Sequence, residues 1–181
     1  HSTPGAYLQQ FTRKKTTFDV GFHYMGSTAP GRPMRQFLEH LRVWERVRVV
    51  PFPADAAIEV RHGARSFAYP STFAGFLAKA EAAWPRERDG LRRFAADVER
   101  ICGAFPWYAL RRTPAPAEPE ASAAQGSFAR YIEGVIADSW LKEVLAFQAF
   151  NLGLEAEEIP WTKHVLAFRS NFDVTSRLAG G

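Results

Sequence analysis

The first clear alternation along the chain runs from Thr16 to Tyr24, with Phe18, Val20, Phe22 and Tyr24 on one side of an extended segment and Asp19, Gly21 and His23 on the other. Successive side chains of a strand point to opposite faces, so this pattern predicts a strand. It lies between the basic Arg13-Lys14-Lys15 and a loop from Gly26 to Pro33. A glycine in mid-strand marks close approach by another backbone or a ligand, and here an acid and an imidazole flank it. Met34, Phe37, Leu38, Leu41 and Trp44 then recur at helical spacing, and Val47 to Val50 reads as a strand stopped by Pro51 and Pro53. Alternation on both sides of His62-Gly63, over 57–61 and 64–69, predicts a hairpin whose glycine supplies the positive φ of a tight turn.

The pattern then turns helical. Ser71 or Thr72 caps a segment carrying Phe73, Phe76, Leu77 and Ala80, which Trp84-Pro85 ends. A second stripe follows with Leu91, Phe94, Ala95, Val98, Ile101 and Cys102, which predicts a core-facing helix. From Thr113 to Gly126 the composition shifts to Pro, Ala, Glu, Ser and Gly with no large apolar residue, the pattern of a mobile loop inside one domain. Three further helical segments are expected over 128–136, 139–152 and 160–172, with Ser127 and Asp138 as caps, Gly153 as a stop and Pro160 as a start. Strand-like segments thus come early and helices late, which predicts an α+β domain: an antiparallel sheet with helices covering one side.

Composition narrows the function classes. A chain of 181 residues, 46% hydrophobic, holds one substantial core and is too short for two full-sized domains. The net charge of +4 is spread along the chain and interleaved with acids, which disfavours nucleic acid as a partner. The mild basic excess suits loose contact with an anionic membrane surface as well as a merely solvated exterior. Cys102 is the single cysteine, so an internal disulfide is excluded, and cytoplasmic location, peripheral to a membrane at most, is the expectation. No apolar run approaches the roughly 18 to 20 residues that span a bilayer.

Several standard sites lack their central device. The histidines at 1, 23, 40, 62 and 164 have no metal-ligand spacing, so no metal is expected. There is no Gly-x-Ser-x-Gly elbow, no phosphate-loop lysine and no Gly-x-Gly-x-x-Gly turn, so this chain alone does not hold a dinucleotide in the usual way.

The stretch from Gly5-Ala6-Tyr7 through Phe18-Asp19-Val20-Gly21-Phe22-His23-Tyr24-Met25-Gly26 carries a family resemblance. It resembles the segment that follows the first βαβ unit in the phytoene-desaturase, carotenoid-isomerase and retinol-saturase group of FAD-dependent flavoenzymes, where a Gly-Gly pair leads to the pattern Phe-Asp-x-Gly-x-His-Tyr. The His-Tyr version is closest to the retinol-saturase branch. Ala6 stands where the family usually has its second glycine. The resemblance continues through the hairpin at His62-Gly63, the helix after Ser71 and the block Ser127 to Asn171, with Leu152-Gly153-Leu154 and Glu158-Ile159-Pro160 at the places of a Leu-Gly-Leu turn and an acid-apolar-Pro helix start.

The resemblance implies the substrate-binding domain of an amine-oxidase or phytoene-desaturase-like flavoprotein without its Rossmann FAD domain. Residues 1–26 would then lead from that missing domain, 27–175 form the substrate domain with its loop at 113–126, and 176–181 return. Gly5, Ala6, Gly21, Phe22 and Tyr24 would lie against FAD, held mainly by the missing domain, and His23 would be the catalytic proton donor or would orient the substrate. Such a fragment alone is expected to be inactive. Phe147, Trp161, His164 and Phe168 are candidates for the substrate wall, although for the three apolar ones core packing is the stronger single explanation. The implied activity is desaturation, saturation or isomerisation of an apolar polyene or isoprenoid-like substrate. The alternative is a non-catalytic hydrophobic-ligand or membrane-edge module on the same scaffold. Oligomeric state is left open.

Overall fold

A computed structural model describes residues 10–19, 24–105, 126–172 and 176–179. The elements run β1 (Gln10–Arg13), β2 (Thr16–Asp19), α1 (Pro33–His40), β3 (Val49–Pro51), β4 (Ile58–His62), β5 (Arg65–Tyr69), α2 (Phe73–Ala83), α3 (Arg88–Ala104), α4 (Phe128–Glu133), α5 (Ser139–Ala146), α6 (Gln148–Asn151), α7 (Trp161–Ser170) and β6 (Ser176–Leu178). The α+β class holds. The single helix-covered sheet does not: the described strands form three separate two-stranded antiparallel ribbons, β1-β2, β3-β6 and β4-β5. Each strand is three to five residues long and pairs with one other strand, and apart from a bridge between Ser176 of β6 and Met25 no ribbon is extended among the described residues.

Local chemistry accounts for most of the boundaries. The hairpin β4-β5 turns at Gly63 with φ of 60°, and its register pairs Ile58 with Tyr69 and His62 with Arg65. Thr72 caps α2 by accepting from the Gly75 amide at 3.1 Å, and Asp138 caps α5 by accepting from Leu141 at 2.8 Å. Where a continuous helix over 139–152 is expected, the chain breaks at Phe147 into α5 and α6 before Gly153, at φ of 67°, stops it. The Glu87 carboxylate accepts from the amides of Ala137 and Asp138, at 3.1 and 2.8 Å, and ties the start of α3 to the turn before α5.

The core collects the stripes that the sequence marks. Leu91, Phe94, Val98, Ile101 and Cys102 of α3 meet Phe73, Phe76 and Ala80 of α2 and Trp161, Val165, Phe168 and Phe172 in and just after α7. Tyr69 sits at its centre, with rings of Phe76, Phe147, Phe168 and Phe172 within 4.9 to 6.2 Å. Its hydroxyl donates to the Val144 carbonyl, and full burial pushes the phenol up and keeps it neutral. Tyr69→Phe keeps the ring and orphans that carbonyl, so a loss of roughly 1 to 2 kcal/mol in chemical denaturation is expected.

The start of the 24–105 segment meets the last described segment. Met25 and Ser176 exchange both backbone hydrogen bonds, at 2.7 and 2.8 Å, and β6 continues alongside β3. Among the described residues, no helix is long and apolar enough to cross a membrane.

Candidate functional site

A groove of about 380 Å³ opens beside this junction. Tyr24 and Met25 form one edge, Met34 and Phe37 of α1 a second, and Leu166 of α7 with Phe105, just after α3, supply the rest of the apolar wall. Three local features hold it open. Pro33 sits at the start of α1, where its fixed φ suits a helix and its missing N–H leaves no donor unpaired. Ser27 takes a left-handed φ of 57° and its carbonyl accepts from the Arg35 amide at 3.3 Å, so the chain turns sharply from the Met25 bridge into that helix. Gly26 lies so close to the end of α7 that a Cβ there would stand 1.8 Å from the Ser170 carbonyl oxygen.

The polar groups of the groove are largely turned onto the protein. The Ser170 hydroxyl donates to the Ala167 carbonyl at 2.7 Å and the Asn171 amide donates to the same oxygen at 3.0 Å. Tyr24 presents a half-buried ring, 6.4 Å from Phe52, and its hydroxyl accepts from the Asn151 side-chain amide at 2.8 Å. What remains is a mainly apolar groove with a phenol at one edge.

Of the residues expected to touch a cofactor or perform catalysis, Gly5, Ala6, Gly21, Phe22 and His23 lie outside the described residues. Tyr24 lines the groove. Tyr24 is the one described member of that set, and its hydroxyl accepts from Asn151. Among the described residues, no group of three or more His, Cys, Asp or Glu side chains could hold a metal ion.

The residues expected in the substrate wall lie in or against the core. Trp161, His164 and Phe168 are fully buried, and Phe147 is half-buried against Tyr69. None of the four lines the groove. Their helical spacing marks an inward face, and a sequence alone does not separate a core face from a pocket wall. Trp161 is sandwiched with Tyr131, ring centroids 3.6 Å apart, and Tyr131 donates to Asp97 at 2.8 Å. Burial, with the adjacent Asp97 carboxylate, pushes the Tyr131 phenol up. His164 stacks on Phe128 at 3.7 Å, and its Nε2–H donates to the Leu145 carbonyl at 2.8 Å. Burial outweighs that bond and lowers its pKa to about 4, so the ring is neutral at pH 7.

Residues that the groove uses and the sequence reading left aside are Met25, Gly26, Phe105 and Leu166. Met34 and Phe37 were visible as a helical stripe. The others carry no local signal, because they come from distant parts of the chain that only the folded structure brings together. His62, conspicuous at its hairpin, faces Glu143 with its Nδ1 beside Arg65, on an exposed surface where such pairs contribute little. No family model matches the chain, no curated protein matches it, and no solved structure matches it.

Proposed function

We propose that this chain is the substrate-binding part of an FAD-dependent oxidoreductase of the phytoene-desaturase and retinol-saturase type, acting on an apolar polyene or isoprenoid-like substrate. The carrying observation is the apolar groove that opens at Tyr24, the residue directly after the Gly21-Phe22-His23 stretch of the family-like motif. A substrate lying along Met25, Met34, Phe37, Phe105 and Leu166 would lie beside Tyr24. The side-by-side placement of Met25 and Ser176 also suits a domain whose two connections to a neighbour run together. So does the β1-β2 ribbon, whose Phe11 and Phe18 stack on each other at 5.2 Å yet remain 47% and 45% exposed. The redox chemistry belongs to the cofactor and to residues beyond those described; the described residues hold the substrate and keep water from it.

The test is the longer polypeptide that carries this segment, purified and examined by visible absorption. A flavin spectrum is expected, and a colourless preparation that also fails to take up added FAD overturns the reading. In the flavin-loaded enzyme, Met34→Trp fills the groove from a helix with no buried residue. A fall of at least about tenfold in kcat/KM at unchanged flavin content is expected. His23→Ala with near-normal turnover and intact flavin would remove the proton-donor role.

A further inference from the structure

We propose that α1 and the short helical turn after it, from Met34 to Arg48, seat this protein on an anionic lipid surface. Helix α1 has the stripe of a core helix, with Met34, Phe37, Leu38 and Leu41 at helical spacing, yet none of its residues is buried. Phe37 is 49% exposed and Leu41, just past the helix end, is 65% exposed. Arg42, at a left-handed φ of 56°, stops the helix there and leaves Leu41 at a corner. Trp44 follows in the short turn Trp44–Arg46 and lies under the Arg35 guanidinium at 3.7 Å.

Charge decides what fits against this crest. From position 32 to 48 the sequence carries five arginines against two glutamates, a net charge of +3, and Arg42, Arg46 and Arg48 are all exposed. An apolar crest beside an excess of arginine is the pattern of a helix lying in a membrane interface, with aromatic and aliphatic side chains among the acyl chains and cations at anionic headgroups. A second exposed apolar run, near the end of α6, has the opposite sign. Phe150, Leu152 and Leu154 are also exposed, but Glu155, Glu157 and Glu158 follow directly, so an anionic surface would be repelled there. Met34 and Phe37 belong to both the groove and the crest, so a docked α1 would place the groove beside the lipid. That last step alone rests on the substrate reading above; the lipid contact stands without it.

The experiment is co-sedimentation of the 181-residue chain with phosphatidylcholine vesicles, with and without phosphatidylserine. Binding at least about tenfold tighter with phosphatidylserine, and weakening as salt is raised, is expected. A Phe37→Ser, Leu41→Ser double variant and an Arg42→Glu, Arg46→Glu, Arg48→Glu triple variant should each lose about tenfold or more. Because these side chains are exposed, both variants should keep the parent melting curve by circular dichroism. Absence of binding to phosphatidylserine vesicles overturns the proposal, as does equal binding by parent and both variants. So does a dimer in solution that the double variant dissolves while vesicles bind neither protein. Any of these results in a polypeptide that still shows its flavin spectrum rejects the lipid contact and leaves the proposed function intact.

Discussion

Alanine at position 26 is expected to destabilise the fold by about 3 kcal/mol or more, the largest effect of a single methyl group in the described structure. The added carbon would lie 1.8 Å from the Ser170 carbonyl oxygen and 3.0 Å from its carbon. Both are backbone atoms at the end of α7, so no side chain can rotate away. Relief requires the Tyr24–Gly26 segment to withdraw from the helix, and Met25 then strains or breaks the two hydrogen bonds that join it to Ser176. Each of those contributes about 1 kcal/mol net, and overpacking adds roughly 1 to 3. Against a total stability on the order of 5 to 15 kcal/mol, such a loss is large. Urea denaturation of the Gly26→Ala chain should show a clearly lower midpoint at an unchanged slope. An unfolding free energy within about 0.5 kcal/mol of the parent's would mean that the segment does not press against α7. Since Gly26 also lines the groove, the same variant should distort the candidate site.

Gly26 also marks the boundary of what the sequence made legible. Glycine at 21 stood out because it interrupts an alternating run, whereas Gly26 begins an ordinary loop and its partner, Ser170, is far along the chain. The helical stripes of α2, α3 and α7 were readable because a period near 3.6 is a local property, and the structure packs all three into the core. The β4-β5 hairpin was readable for the same reason, through Gly63. The β1-β2 ribbon was not: its turn places Lys14 and Lys15 at φ of 48° and 69°, a conformation that Asn-Gly would have announced and two lysines conceal. Nor was the pairing of β3 with β6, since three-residue strands at distant positions leave no mark of their partner. The assumption of one sheet failed at that step. The same limit applies to the expected substrate wall. Periodicity identifies the inward face of α7, but whether that face meets other helices or a cavity depends on long-range packing, and here it meets Tyr69, Phe94 and Phe128.

The buried imidazole of that face predicts a second large effect, a loss of stability in mild acid. His164 is neutral in the folded protein, with a pKa lowered to about 4, while in the unfolded chain it titrates near the ordinary value of about 6.5. Between these values the unfolded state binds a proton that the folded state refuses. Stability is therefore fully present above pH 6.5 and falls as the pH drops toward 4, at up to about 1.4 kcal/mol per pH unit and about 3 kcal/mol in all. The structural cause is that Nε2 already donates to Leu145, and Nδ1 has no hydrogen-bond partner among the described residues, so a second proton would be buried without an acceptor. Unfolding free energies measured from pH 7.5 to 5, above the range where ordinary carboxylates protonate, isolate the effect. His164→Phe keeps a ring stacked on Phe128 and should flatten the slope. It should also lower stability at neutral pH by about 1 to 3 kcal/mol, because the Leu145 carbonyl loses its donor. A parent chain as stable at pH 5 as at pH 7 would mean that the imidazole reaches water in the folded state. The packing of α7 against α4 and α5, on which the core description rests, would then be looser than the 3.7 Å stack on Phe128 allows.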